Sequence, residues 1–148
     1  MRGAAAGAAG TTALNAVTYL DMTWRGRPAS STPEDTVEKG LGQTSLDLPG
    51  EGETRANRVS ALGALSGLAT GVAIGAAYGA VRALGVRPPV LVSGLVTAAV
   101  ALAGSNAPMT AMGVTDPRSW STADWVADVV PHLAYGLVTA WSYCAPED

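Results

Sequence analysis

The sequence predicts an all-α protein, a multi-pass transmembrane four-helix bundle, on three observations. The first is that charges cluster and leave long windows without any: Gly3 to Leu20, Val59 to Val81 and Pro88 to Thr115. About twenty apolar residues cross a ~30 Å hydrocarbon core at 1.5 Å per helical residue, and each window is near or above that length. The second is the lack of any charged face inside them. A soluble amphipathic helix carries a polar side at the 3.6-residue period, whereas residues 59–81 and 89–104 offer only Ser, Thr and one Tyr. The third is that cap and turn residues stand where these helices must begin and end.

Taken in order, the single membrane domain covers residues 1–148. The first span, 3–24, is rich in Ala and Gly. Arg2 is the only basic residue ahead of it and no small-x-small cleavage site follows, so the segment does not read as a signal peptide. Asp21, Trp24 and Arg25 mark its interfacial end, with Trp as the anchor. A polar loop, 25–57, contains SSTPEDTVEKG, which reads as a short helix. Ser31 or Thr32 is the N-cap, Pro33 takes the first position and Gly40 is the stop. Val37 and Leu41 give it one weakly apolar edge, for lying on headgroups or folding back on the bundle.

The second span, 58–84, and the third, 89–112, are separated by so little chain that they form an antiparallel hairpin. Pro108 is placed to kink or end the third. After the turn TDPRSWS comes the fourth span, 122–145, where Ser121 and Asp124 have the spacing of a capping box.

Gly63, Gly67, Gly71, Gly75 and Gly79 stand four apart along the second span. In water each interior Gly costs a helix about 0.8–1 kcal/mol relative to Ala. In lipid the unpaired backbone of competing conformers is the larger cost. Such a row then serves helix association, as a groove into which another backbone comes close. The small residues Ala4 and Ala8 on the first span, or Ala98 and Ala101 on the third, are the predicted partners, in the same chain or in a second copy.

The fourth span is where ionisable groups enter an apolar helix. With Asp124 at zero and ~100° per residue, Asp128, His132, Tyr135, Thr139 and Ser142 fall within an arc of ~80°. A charge at the bilayer centre costs about 2.5–3.5 kcal/mol even on insertion scales, so this seam is predicted to face protein or a water-filled gap. Asp124 lies in the first turn and reads as a cap. Asp128 and His132 lie deeper, as a structural i,i+4 contact or as a proton-exchanging pair. Imidazole changes charge near neutral pH, and a carboxylate beside it favours the protonated form. Pro131 removes one backbone N–H next to the pair. Thr11, Asn15, Thr18 and Tyr19 share one face of the first span and are the expected mate of the seam through interhelical hydrogen bonds, with Asn15 counted in the candidate polar site beside Asp124, Asp128, His132 and Tyr135.

Other functions find little support. The net charge is −3 with nine scattered basic residues, which argues against nucleic acid as a partner. Cys144 is the lone cysteine, so no intrachain disulfide is possible. With one His in the chain, and Asp21 the only other carboxylate near a span, a metal site needs ligands from a second subunit, and neither metal nor cofactor is assigned. No Ser–His dyad, GxSxG, HExxH or phosphate loop occurs, so no catalytic residue is assigned and an enzyme is the less favoured reading. The lipid bilayer is the expected partner, together with a homo-oligomer or a larger membrane complex.

Three segments resemble the YagU-like family of small bacterial inner-membrane proteins. They are GAAAGAAGTTALNAVTYLDMTWRGRPASSTP, GAAYGAVRALG and PMTAMGVTDPRSWSTADWVADVVPHLAYG. The last is the most specific, with Pro108, Met109, Gly113, Pro117 and Trp120 ahead of Asp128, His132 and Leu133. The resemblance implies a multi-pass protein of the bacterial inner membrane, an association with acid resistance, and an acid–His pair as the position to test. It also implies a cytoplasmic N-terminus, whereas the positive-inside count favours a cytoplasmic long loop. Two functions follow as expectations. One is a pH-responsive or proton- or ion-handling membrane protein using Asp128 and His132. The alternative is a non-catalytic accessory or scaffold subunit docking another membrane protein through its glycines.

Overall fold

The structure, a computed structural model, describes residues 1–145, and no strand occurs among them. Helix α1, Arg2–Arg25, stops where Gly26 takes a left-handed conformation at φ 63, which glycine adopts without a Cβ clash. Helix α2, Thr32–Gly42, has Ser31 as N-cap, a proline in its first turn and Glu34 and Asp35 beside it, and it runs two residues past Gly40. Helix α3 spans Gly52–Ala83, α4 Val90–Ala111 and α5 Thr122–Cys144. Pro108 sits inside α4, which continues for three more residues. Between α4 and α5 a 3-10 turn, Pro117–Ser119, is capped by Asp116, which accepts from the Arg118 N–H at 3.1 Å. The Arg118 guanidinium beside it holds the Asp116 carboxyl below the usual carboxylate range.

Helix α3 begins six residues before the predicted span, and those turns are polar. They give α2 something to pack on. Arg55 pairs with Glu38, Ser60 donates to Glu34 Oε1 at 2.9 Å, and a Cβ on Gly63 would come within 3.0 Å of Pro33. Of the two placements open to α2, the chain takes the fold-back onto α3.

The four long helices alternate in direction. Helix α5 is flanked by α1 and α4, while α1 also carries α3. The predicted α3–α4 hairpin is antiparallel and joined by a short turn, but the two helices scarcely touch. Their small-residue faces are used elsewhere. Ser93, Gly94, Thr97, Ala98 and Ala101 of α4 are buried, with Gly94 and Ala98 against Gly136 of α5, and the glycines of α3 take α1.

The core is built from small side chains, Ala6, Ala98, Ala101 and Ala140, with Val59 and the single large residue Tyr135. Large apolar residues point outward: Leu65 is 58% exposed, Leu91 63% and Trp141 70%. A water-soluble domain places such residues inside. Helices α3 and α4 are long and apolar enough to cross a membrane, and only 17% and 28% of their most apolar stretches are buried within the protein.

Candidate functional site

The polar groups of α5 find their partners on two sides. Asp128 and His132 are one turn apart, about 9 and 15 Å along the axis from Thr122 at 1.5 Å per residue. His132 Nδ1 lies 2.7 Å from the Asp128 main-chain oxygen and 3.4 Å from its carboxylate Oδ1. The other carboxylate oxygen accepts from Asn106 Nδ2 of α4 at 2.6 Å. On the far side of the imidazole, Nε2 is 3.3 Å from Ser105 Oγ, which itself lies 3.0 Å from the Ala101 carbonyl. The side chains of His132 and Asp128 are 13% and 24% exposed. The cluster therefore sits in the α4–α5 seam, within reach of its rim.

A main-chain oxygen can only accept, so the contact with Asp128 O makes Nδ1 the N–H of the ring. Ser105 Oγ can then donate to Nε2 or accept from it, with the Ala101 carbonyl as its other acceptor. Both ring nitrogens and one oxygen of the Asp128 carboxylate are thus partnered.

The remaining residues of the predicted seam go elsewhere. Asp124 forms the predicted capping box, accepting from the Ser121 N–H at 2.9 Å while Ser121 Oγ accepts from the Asp124 N–H at 3.2 Å. Its role in the cluster is only to start the helix that carries it. Tyr135 is buried and donates to the Gly71 carbonyl of α3 at 2.6 Å, so it braces helices rather than touching His132. Thr139, fully buried beside Gly10, has a hydroxyl with no hydrogen-bond partner among the described residues.

The expected mate of the seam is corrected. Asn15 of α1 is half-buried and makes no side-chain hydrogen bond among the described residues, Thr11 bonds back to Gly7 O at 2.9 Å, and Tyr19 is exposed. Helix α4 supplies Ser105 and Asn106 in their place. The signal for them was present in GSNAP: among the residues of α4, Asn106 is the only amide side chain.

The glycine row also divides. Gly71, Gly75 and Gly79 meet α1 at Gly3, Gly7 and Thr11, with glycine backbones in direct contact. Gly63 faces Pro33 of α2, and nothing lies within 4 Å of a Cβ placed on Gly67. The partner face on α1 is Gly3, Gly7 and Thr11 rather than Ala4 and Ala8; Ala8 is exposed. Ala98 and Ala101 pack in the face toward α5. A second close crossing joins Gly136 to Gly94 of α4.

No group of three or more His, Cys, Asp or Glu side chains among the described residues is arranged to hold a metal ion. No family model matches the chain, and comparison with curated proteins and with solved structures gives no match.

Proposed function

We propose that this chain is a multi-pass membrane protein of the bacterial inner membrane, a bundle of α1, α3, α4 and α5, that handles protons through Asp128 and His132. The observation that carries the reading is the α4–α5 cluster, a lone imidazole whose two nitrogens and adjacent carboxylate all have hydrogen-bond partners. Its setting adds support. Two helices, α3 and α4, are apolar enough to span a bilayer and are mostly uncovered by the rest of the chain. The pair stands on α5 against one of them, α4, and an ionisable pair at membrane depth marks an ion or proton path by default. The resemblance to the YagU-like proteins, with their link to acid resistance, points the same way. Four helices enclose little space, so conduction requires copies assembled around α4 and α5.

The scaffold alternative relied on a free glycine groove. Gly71, Gly75 and Gly79 are taken by α1 of the same chain, which leaves that reading the open face at Gly67 and its neighbours Leu65 and Leu68.

The test is proton flux into proteoliposomes holding a trapped pH-sensitive dye, after an external acid step. Wild type is expected to acidify the lumen faster than empty vesicles, with His132→Ala and Asp128→Asn each reducing the excess rate about a hundredfold, the lower end of what a positioned proton-transfer group contributes. Arg118→Ala, on the exposed turn, leaves it unchanged. Absence of flux in wild type, or full flux in His132→Ala, overturns the proposal.

A further inference from the structure

The four long helices turn polar in two layers, and the distance between those layers selects the bilayer that fits them. The first layer lies toward the long loop. There Asp128 of α5 accepts from Asn106 of α4 at 2.6 Å, so both helices turn polar at one level. On α3 that level is Gly63, where an added Cβ would meet Pro33 at 3.0 Å. From there to Arg55 the charged helix α2 covers α3, through the Ser60–Glu34 and Arg55–Glu38 contacts. On α1 the level is Asp21, paired with Arg25 at 2.9 Å and Arg27 at 2.6 Å. Gly71 against Thr11, and Gly10 against Tyr135 and Thr139, fix the register of α3, α1 and α5. That register puts Gly63, Asp21 and Asp128 within about one turn of each other. The second layer is set by Arg82, in the last turn of α3. Its guanidinium donates to the Pro88 carbonyl, just ahead of α4, at 3.2 Å and lies 3.3 Å from Cys144 Sγ at the end of α5. Gly3 of α1 packs on Gly79, within a turn of Arg82.

At 1.5 Å per residue the layers are about 27 Å apart on α1 (Gly3 to Asp21), about 28 Å on α3 (Gly63 to Arg82) and about 24 Å on both α4 (Val90 to Asn106) and α5 (Asp128 to Cys144). Tilt only shortens these spans. None reaches the ~30 Å core of an ordinary bilayer, although the uncharged run Val59 to Val81, taken alone, is about 33 Å long. The difference is α2, which lays its charges beside the first turn of that run. Exposed aromatic rings keep the same limits, with Tyr19 and Trp125 at the loop-side layer and Trp141 at the other, the headgroup-level positions such rings favour. We propose that the lipid partner of this chain is a thin bilayer, with a hydrocarbon core of about 24 Å. A thicker one must thin around the protein or bring acyl chains against Asp128, Asn106 and α2, and both cost free energy. The inference rests on the membrane-spanning reading above and does not use the proton chemistry of His132.

The test reconstitutes the full chain in vesicles of phosphatidylcholines whose fluid, monounsaturated chains rise in length: dimyristoleoyl, dipalmitoleoyl, dioleoyl, dieicosenoyl and dierucoyl. Thermal unfolding, followed through tryptophan fluorescence, is expected to have its highest midpoint in one of the two shortest lipids. The midpoint should fall by several degrees toward dierucoyl, since each added ångström of mismatch costs free energy. A second measurement uses mixed vesicles of dipalmitoleoyl lipid and brominated dioleoyl lipid. Bromine should quench the exposed Trp125 and Trp141 less than its mole fraction predicts, because the shorter lipid collects at the protein. A midpoint that peaks in dioleoyl or a longer lipid, a midpoint indifferent to chain length, or quenching at or above the mole fraction overturns the proposal while the membrane-spanning reading stands. Failure of the chain to enter any of these vesicles overturns both.

Discussion

Replacing Gly75 by alanine probes the close crossing of α1 and α3. A Cβ there would sit 2.6 Å from the Gly3 carbonyl oxygen and 2.6 Å from the Gly7 nitrogen, with Gly7 Cα closer still. Ordinary contact begins at 3.4 Å, and with Gly7 Cα as the nearest atom α1 and α3 must separate by about 1 Å. All the opposing atoms are helix backbone, and none can rotate away. Overpacking of this kind costs about 1–3 kcal/mol, and stretching the Tyr135–Gly71 hydrogen bond adds up to about 1 kcal/mol. The gain in helix propensity, about 0.8–1 kcal/mol, offsets part of that.

At Gly67 the same change meets nothing within 4 Å, so only the propensity gain remains. The propensity gain is common to both, so the two variants should differ by about 1–4 kcal/mol, roughly one to three orders of magnitude in the folding equilibrium. Unfolding by SDS in mixed micelles, followed through tryptophan fluorescence, measures the difference. Equal effects at the two positions would show that the α1–α3 contact is not built as described. Gly71→Leu goes further, driving a branched side chain into Thr11 and Tyr135, and should abolish the folded form.

Asn106→Leu removes the 2.6 Å donor to Asp128. It should lower stability by about 1 kcal/mol, at the low end for an orphaned acceptor because the carboxylate is partly exposed, and it should slow proton flux, whereas Asn15→Leu changes neither. Tyr135→Phe deletes a buried hydrogen bond to Gly71 and should cost about 1 kcal/mol in the same unfolding assay without changing flux per folded molecule. At the opposite end of the scale lies the exposed Glu38–Arg55 pair. Hydrogen bonding from the Arg55 guanidinium holds the Glu38 carboxyl below its ordinary value of 4.5. Its folded value being depressed, the pair's contribution to docking α2 is present above about pH 4.5 and is lost as pH falls through the lowered value. A spin label at Gln43 should become more mobile in acid, and Glu38→Gln should show that mobility already at pH 7.

What was legible in the sequence was local. The Ser121–Asp124 box depends on residues three apart, and the apolar runs of α3 and α4 are contiguous, so both can be read without knowing the packing. The partner of the α5 stripe was not legible in the same way. Choosing between Asn15 on α1 and Asn106 on α4 requires knowing which helix crosses α5 at the level of Asp128. Both helices lie antiparallel to α5, and α1 is spent on Tyr135 and Thr139. The glycine row shows the same limit. Its spacing marks a close approach, but the row drifts by ~40° at each step while α1 crosses and diverges. Only Gly71, Gly75 and Gly79 thus meet α1, Gly63 finds Pro33 and Gly67 finds no neighbour. The start of α3 was misjudged for another reason: GETRAN looks like loop until α2 is known to pack beside it.

The central claim is that hydrocarbon covers the outward-facing Leu, Val and Trp side chains of these helices. Alkaline carbonate washing of membranes from expressing cells tests it most directly. Retention of the chain in the pellet, with release only by detergent, is the predicted result. Recovery of the folded chain in the wash, in the absence of detergent, would contradict it.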